Sequence, residues 1–241
     1  MSSQTDKLNI KIFADGADIS TFESLNKNNL ISGFTTNPTL MRKVGIKNYK
    51  NFAKEILDIV KEKPVSFEVF ADDIDEMEEQ AFEISSWGKN VNIKIPITNT
   101  KKISTKNLIE KLSKNKIVCN VTAIFTLDQC AQVLEVLSVG TPAILSIFAG
   151  RIADTGIDPM PIMKEAVKLS KSKNSVEILW ASPRELLNLI QANDIGCQII
   201  TMPNDLINKI SLIGKDLDEY SLETVLMFYN DALKADFKID G

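Results

Sequence analysis

Short apolar runs rich in β-branched residues alternate along this chain with longer stretches whose apolar positions recur every three to four residues. The short runs predict strands over residues 9–14, 31–36, 65–70, 91–95, 117–121, 143–148, 176–180 and 197–201. The longer stretches predict helices over 48–62, 74–87, 107–114, 126–138, 159–172, 183–193 and 203–213. In the first of these, Phe52, Ile56, Ile59 and Val60 form an apolar stripe near helical spacing. Asp72, Asp73 and Asp75 open the second, where carboxylates suit the positive end of a helix. Pro183 and Pro203 read as first-turn prolines. A last helix over 222–233 follows Gly214, Lys215 and Asp216.

Strands that alternate with helices imply βαβ units and parallel pairing. Eight such units, with no break in composition, predict an α/β fold: a single-domain (β/α)₈ TIM barrel over residues 1–215. Residues 216–241 are expected to form a C-terminal helical arm that docks on the barrel or reaches a neighbouring subunit.

Composition narrows the function classes. The net charge of −4 carries no basic stripe, which argues against nucleic acid as a partner. No stretch reaches the roughly 18 unbroken apolar residues of a membrane span, and the opening MSSQTDKLN lacks the apolar run of a signal peptide. Cys119, Cys130 and Cys197 are an odd number without metal-ligand spacing, so reduced thiols and a cytoplasmic location are expected. The chain has no histidine. Ser-His-Asp and Cys-His catalysis and the usual zinc sites are thereby excluded, and acid–base work falls to carboxylates, lysine, tyrosine, cysteine or water. No metal and no cofactor are expected.

One position breaks the apolar pattern of its strand. In "VNIKIPIT", Lys94 shares a face with Asn92, opposite Ile93 and Ile95. If the isoleucines face the helices, Lys94 points into the barrel near the C-terminal end of its strand. A buried ammonium is costly unless it is paired or neutral. A neutral lysine in a dry pocket is a nucleophile for carbonyls and forms a Schiff base; half-neutrality near pH 7.4 needs a drop of about 3 pK units. The other reading is a salt-bridged or surface lysine on a mis-faced strand.

Polar residues recur at the ends of the other apolar strands. Asp15 ends the first, Thr35 and Asn37 the second, Glu68 lies in the third, Asn120 and Thr122 follow in the fifth, Ser146 and Arg151 in and after the sixth, Ser182 and Arg184 after the seventh. Barrel enzymes build their sites on this rim from several strands. Each residue has a structural alternative: Asp15 or Asp18 as a helix cap, Asn37 as an N-cap before Pro38, Arg151 and Arg184 as solvated loop charges.

The segments "GFTTNPTL", "VSFEVFADD", "VNIKIPIT", "VCNVTAIFTLDQ", "SIFAGRIAD" and "ILWASPREL" together resemble the transaldolases, in particular the small transaldolase and fructose-6-phosphate aldolase branch of the class I aldolases. The resemblance covers nearly the whole barrel and implies roles. Lys94 matches the Schiff-base lysine, and Asp15 the carboxylate that takes the proton of the substrate's C4 hydroxyl. Glu68 and Thr122 match residues that hold a water for proton transfers. Asn37, Asn120 and Ser146 match groups that bind the dihydroxyacetone hydroxyls, with Thr35 in the same pocket. Arg151, Ser182 and Arg184 match a phosphate site. Glu68 and Phe148 stand where the transaldolases carry Glu and Phe, whereas the fructose-6-phosphate aldolases carry Gln and Tyr.

The implied substrates are sugar phosphates: a dihydroxyacetone unit moves from sedoheptulose 7-phosphate or fructose 6-phosphate to an aldose phosphate. A free dihydroxyacetone aldolase and a catalytically silent barrel used as a binding module are the alternatives. The small branch also implies homo-oligomers, pentameric rings often paired into decamers, with residues 221–237 as an intersubunit arm. The chain departs from the family pattern in "DGAD" after the first strand, in the close spacing of Ser182 and Arg184 around Pro183, and in Trp180, where relatives have a small residue. By alternation Trp180 shares the face of Ser182 and narrows the pocket; the alternative is that it packs in the barrel floor.

Overall fold

The structure is a computed structural model that describes residues 8–239. Most of the opening MSSQTDKLN lies outside the described residues. Eight strands form a closed, all-parallel barrel in sequence order: β1 Lys11–Asp15, β2 Ile31–Thr35, β3 Val65–Glu68, β4 Val91–Pro96, β5 Cys119–Ile124, β6 Ala143–Ile147, β7 Val176–Trp180 and β8 Ile199–Pro203. The helices are α1 Ile19–Asn26, α2 Pro38–Lys43, α3 Tyr49–Ile59, α4 Ile74–Ser85, α5 Lys106–Lys114, α6 Leu127–Val136, α7 Ala149–Ala153, α8 Met160–Ser170, α9 Leu187–Asp194, α10 Asn204–Asn208 and α11 Leu217–Lys234. All eight predicted strands and the (β/α)₈ barrel are present.

Local chemistry explains where the helices begin. The Asn48 carboxamide accepts the Asn51 N–H and starts α3, which buries Phe52, Ala53, Ile56 and Leu57. Asp73 accepts from Asp75 and Glu76 at the start of α4. Thr126 and Gln129 form a reciprocal capping box on α6. Asp18, one of the two candidate caps, is the one that caps: it accepts the Thr21 N–H, while Asp15 stays on the barrel.

Three short helices, α1, α2 and α7, were not expected from periodicity. They have five to eight residues, too few for a 3.6-residue period to show. The first-turn reading of the prolines also needs correction. Pro183 lies in an irregular turn before α9, and Pro203 is the last residue of β8, one position ahead of α10.

Strand alternation fixes what faces the barrel interior. Ile93 and Ile95 are fully buried, and Lys94 shares the opposite face with Asn92, level with Glu68 on β3 and Asn120 on β5. Leu179 on β7 and Ala181 just after it belong to the interior cluster with Phe13, Ile144 and Ile199. Trp180 therefore takes the outward, helix-facing side and is fully buried there. The expectation that it narrows the pocket is corrected. The alternation from Trp180 to Ser182 fails because Ser182 adopts a left-handed backbone, φ +57°. Cys119, Cys130 and Cys197 are free and buried, with thiols pushed up to about 12 by burial.

The chain divides into two compact units, residues 8–208, which hold the barrel, and a segment beginning at Lys209. In the second, α11 starts one turn earlier than its apolar pattern, because Asp216 accepts the N–H groups of Asp218 and Glu219. No residue of α11 is buried, and Leu222, Val225, Phe228 and Tyr229 are all more than half exposed. Among the described residues no helix is long and apolar enough to cross a membrane, and no cluster has metal-ligand character.

Candidate active site

The C-terminal ends of the strands surround a cavity of about 470 Å³. Asp15, Thr35, Asn37, Glu68, Lys94, Thr122, Ser146, Phe148, Arg151 and Ser182 line it, as does Thr201. That volume suits a small ligand of sugar-phosphate size.

At its centre, Lys94 Nζ lies 2.8 Å from Glu68 Oε1, with the two side chains 11% and 8% exposed. Lys94 also donates to the backbone carbonyl of Thr36. It therefore meets the cost of burial by pairing, a possibility the sequence left open beside neutrality. The other oxygen of Glu68 is held too. Thr36 Oγ1 donates to Oε2 at 2.8 Å and Tyr49 OH at 3.2 Å.

Asp15 is gripped from β2. Thr35 Oγ1 donates to its Oδ1 at 2.9 Å, and Asn37 Nδ2 to its Oδ2 at 3.0 Å. Burial pushes the Asp15 carboxyl above its usual range, against the opposing pull of Lys94. Its hydrogen bonds to Thr35 and Asn37 also favour the ionised form, yet desolvation outweighs them. Glu68 thus pairs directly with the ammonium, while Asp15 feels its charge without an ion-pair contact. Asn37 serves both as orienter and as cap, because its Oδ1 accepts the Leu40 N–H at the start of α2.

Beside Lys94 runs a chain of buried polar side chains. Ser146 Oγ donates to Asn120 Oδ1 at 2.6 Å, and Asn120 Nδ2 donates to Ser66 Oγ at 3.1 Å. Asn120 is fully buried and does not line the cavity itself. On β5 the ladder to β6 shifts register between Val121 and Ile124, and Ala123 takes φ +59°. This bulge accompanies the exposure of Thr122 to the cavity.

Across the cavity, Arg151 lies 5.7 Å from the centre of the Phe148 ring. Its neighbour Gly150 comes so close to the segment after β7 that an added Cβ would sit 1.5 Å from the Ser182 carbonyl oxygen. That contact brings the loops bearing Arg151 and Ser182 together. Gly150→Ala is expected to destabilise the fold by about 1–3 kcal/mol, the usual range for overpacking, and urea denaturation is the check. Arg184 is placed otherwise: its guanidinium forms a two-pronged pair with Asp154, and it does not line the cavity.

The chain as a whole has relatives among known proteins. The family model described as Transaldolase/Fructose-6-phosphate aldolase matches residues 12–239. A protein of Dehalococcoides mccartyi named "Probable transaldolase" is 35% identical over 195 residues, covering 80% of this chain and 87% of its own length. One of the same name from a Thermoanaerobacter species is 33% identical over 95% of this chain and 100% of its own. This chain belongs to the transaldolase/fructose-6-phosphate aldolase family. A solved structure of a candidate phosphonomutase from Burkholderia cenocepacia shares the fold alone, with a TM-score of 0.56, 8% identity and coverage of 94% of this chain and 97% of its own.

The residues that carried the family resemblance largely converge on the cavity. Trp180, Arg184 and Asn120 are the three that do not line it. Sequence reasoning passed over Thr36, Tyr49 and Thr201. Thr201 offered the same signal as its neighbours, a polar residue ending an apolar strand, and it lies 2.5 Å from Thr35 Oγ1. Thr36 stands inside the family-like "TTNP" without an assigned role. Tyr49 gave no signal, because it opens a helix and only its hydroxyl bonds to Glu68 tie it to the site.

Proposed function

We propose that this protein is a transaldolase that moves a dihydroxyacetone unit between sugar phosphates through a Schiff base on Lys94. The observation that carries this reading is the Lys94–Glu68 pair on the wall of a small cavity, with a second carboxylate, Asp15, nearby.

Lys94 passes a proton to Glu68, the acceptor already in contact, and the freed amine adds to the C2 ketone of the donor. Loss of water gives a protonated imine. Asp15 takes the C4 hydroxyl proton as the C3–C4 bond breaks, and the bonding pair moves toward the iminium to leave an enamine. The departing aldehyde is an aldose phosphate. C3 of the enamine then attacks an acceptor aldehyde, Asp15 returns its proton to the new alkoxide, and hydrolysis of the imine restores Lys94. Glu68 and Thr122 hold the water consumed in that last step. The raised basicity of Asp15 suits a group that must accept a hydroxyl proton.

Ser146, with Asn120 behind it, and Asn37 orient the dihydroxyacetone hydroxyls. Arg151 and Ser182 take the phosphate. Arg184 contributes only if its pair with Asp154 opens. Binding the remote phosphate aligns the reacting carbons. Phe148 offers no hydroxyl to protonate the enamine, so the three-carbon unit waits for an acceptor. Fructose 6-phosphate with an aldose phosphate acceptor is expected to give transfer products at steady state. Fructose 6-phosphate alone is expected to release no sustained dihydroxyacetone, and steady release would favour the free aldolase instead.

The same proposal includes a cytoplasmic location, in keeping with the three unpaired buried cysteines, and with it a place in the pentose phosphate pathway. It also takes the exposed apolar residues of α11 as the arm of a homo-oligomer, a pentamer or decamer. A chain truncated before Glu219 is expected to lose mass per particle by light scattering, and an unchanged mass would remove the arm.

A further inference from the structure

We propose that Tyr49 is a positioning residue for the Schiff-base chemistry, holding the Glu68 carboxylate against Lys94 from outside the barrel. The inference rests on the transaldolase reading above and adds a residue from the helix layer to it.

The geometry is a two-point clamp. Tyr49 OH accepts the Glu68 backbone N–H at 2.7 Å and donates its own proton to Glu68 Oε2 at 3.2 Å. One hydroxyl thus fixes both the main chain and the carboxylate of the same residue. The ring that carries it has little room to move. Phe70, Trp87 and Phe67 meet it edge-on, with centroids 4.5, 5.6 and 6.0 Å away. Burial, and then the charge of Glu68, hold the phenol above its ordinary range, so it remains a donor at every working pH.

The chemistry asks for such a clamp. Glu68 must receive a proton from Lys94 and then manage a water, and both tasks need its oxygens fixed to within a few tenths of an ångström. The charged and titratable groups facing Glu68 are Lys94 on β4, Asp15 on β1 and Tyr49 on α3. Thr36 adds an uncharged donor. Tyr49 does not line the cavity, so it acts on substrate only through Glu68.

The test is Tyr49→Phe, which keeps the ring and removes the clamp. Because a hydrogen bond to a charged group is lost, kcat is expected to fall about ten- to a hundredfold, with KM little changed. In a Glu68→Gln background the same change is expected to have no further effect on kcat, because the two residues act as one unit.

A packing role alone predicts additive losses, and that result would overturn the proposal. Should Tyr49→Phe not fold, global replacement of tyrosine by 3-fluorotyrosine gives a more acidic phenol at this position; Tyr220 and Tyr229 lie on α11. Its effect on kcat is then expected to vanish in the Glu68→Gln background, and an equal effect in both backgrounds counts against the clamp. Borohydride trapping separates the two levels of failure. If wild-type protein forms no ketose adduct at Lys94, the transaldolase reading itself is wrong. If it does and the variants behave as packing changes, only the role of Tyr49 is lost.

Discussion

Lys94→Met is expected to end turnover and to unsettle the fold at the same time. The catalytic loss should be about four orders of magnitude or more, the scale on which a covalent nucleophile is missed. The structural loss follows from charge. Lys94 is the buried partner of Glu68 at 2.8 Å, and its field also offsets the desolvation of Asp15. Removing it leaves two carboxylates in the same closed space. Breaking a buried pair from one side costs about 3 kcal/mol or more. A second change, Glu68→Gln, removes the stranded charge and should restore at least half of that stability while leaving the enzyme inactive. Urea denaturation of the single and double variants measures the first effect, and coupled assay of ketose cleavage the second.

Asp15→Asn is expected to do the opposite to stability. Burial raises the Asp15 carboxyl above its ordinary range, so its ionised form is disfavoured in the folded chain. An acid whose folded value is raised gives its stability below its unfolded value, about pH 4, and loses it as pH climbs through the folded value. Wild type and variant should therefore be equally stable in acid. The variant should gain by about 1 kcal/mol toward neutrality, in line with the trade between stability and function at active sites.

Its activity should fall by about 10²–10⁴, the contribution of a general base. Imine formation does not need Asp15 to take the C4 proton. Borohydride should then trap the intact ketose on Lys94 in the variant, where wild-type protein yields the cleaved three-carbon unit. A Tm that drops at pH 7, or trapping that disappears with Asp15, would contradict this division of labour.

Much of this was legible in the sequence, for definite reasons. Strand alternation around Ile93 and Ile95 aimed Lys94 inward, because a two-residue period leaves only two faces. Glu68 followed by the same rule. The rule failed at Trp180 and Ser182, where a left-handed residue lets successive side chains escape strict alternation. It also gave no warning that Arg184 would pair with Asp154, since the partner lies 30 residues away on another loop. Tyr49 is the clearest case of a residue hidden from one-dimensional reading. It opens a helix whose apolar stripe predicts only burial, yet its hydroxyl bonds both the main chain and the carboxylate of Glu68.

The most direct measurement is peptide mapping after borohydride reduction of the wild-type protein incubated with fructose 6-phosphate. The account predicts a single modified peptide, bearing a reduced dihydroxyacetone unit on Lys94. A map with the sugar on another lysine, or turnover with no lysine modified at all, would contradict it.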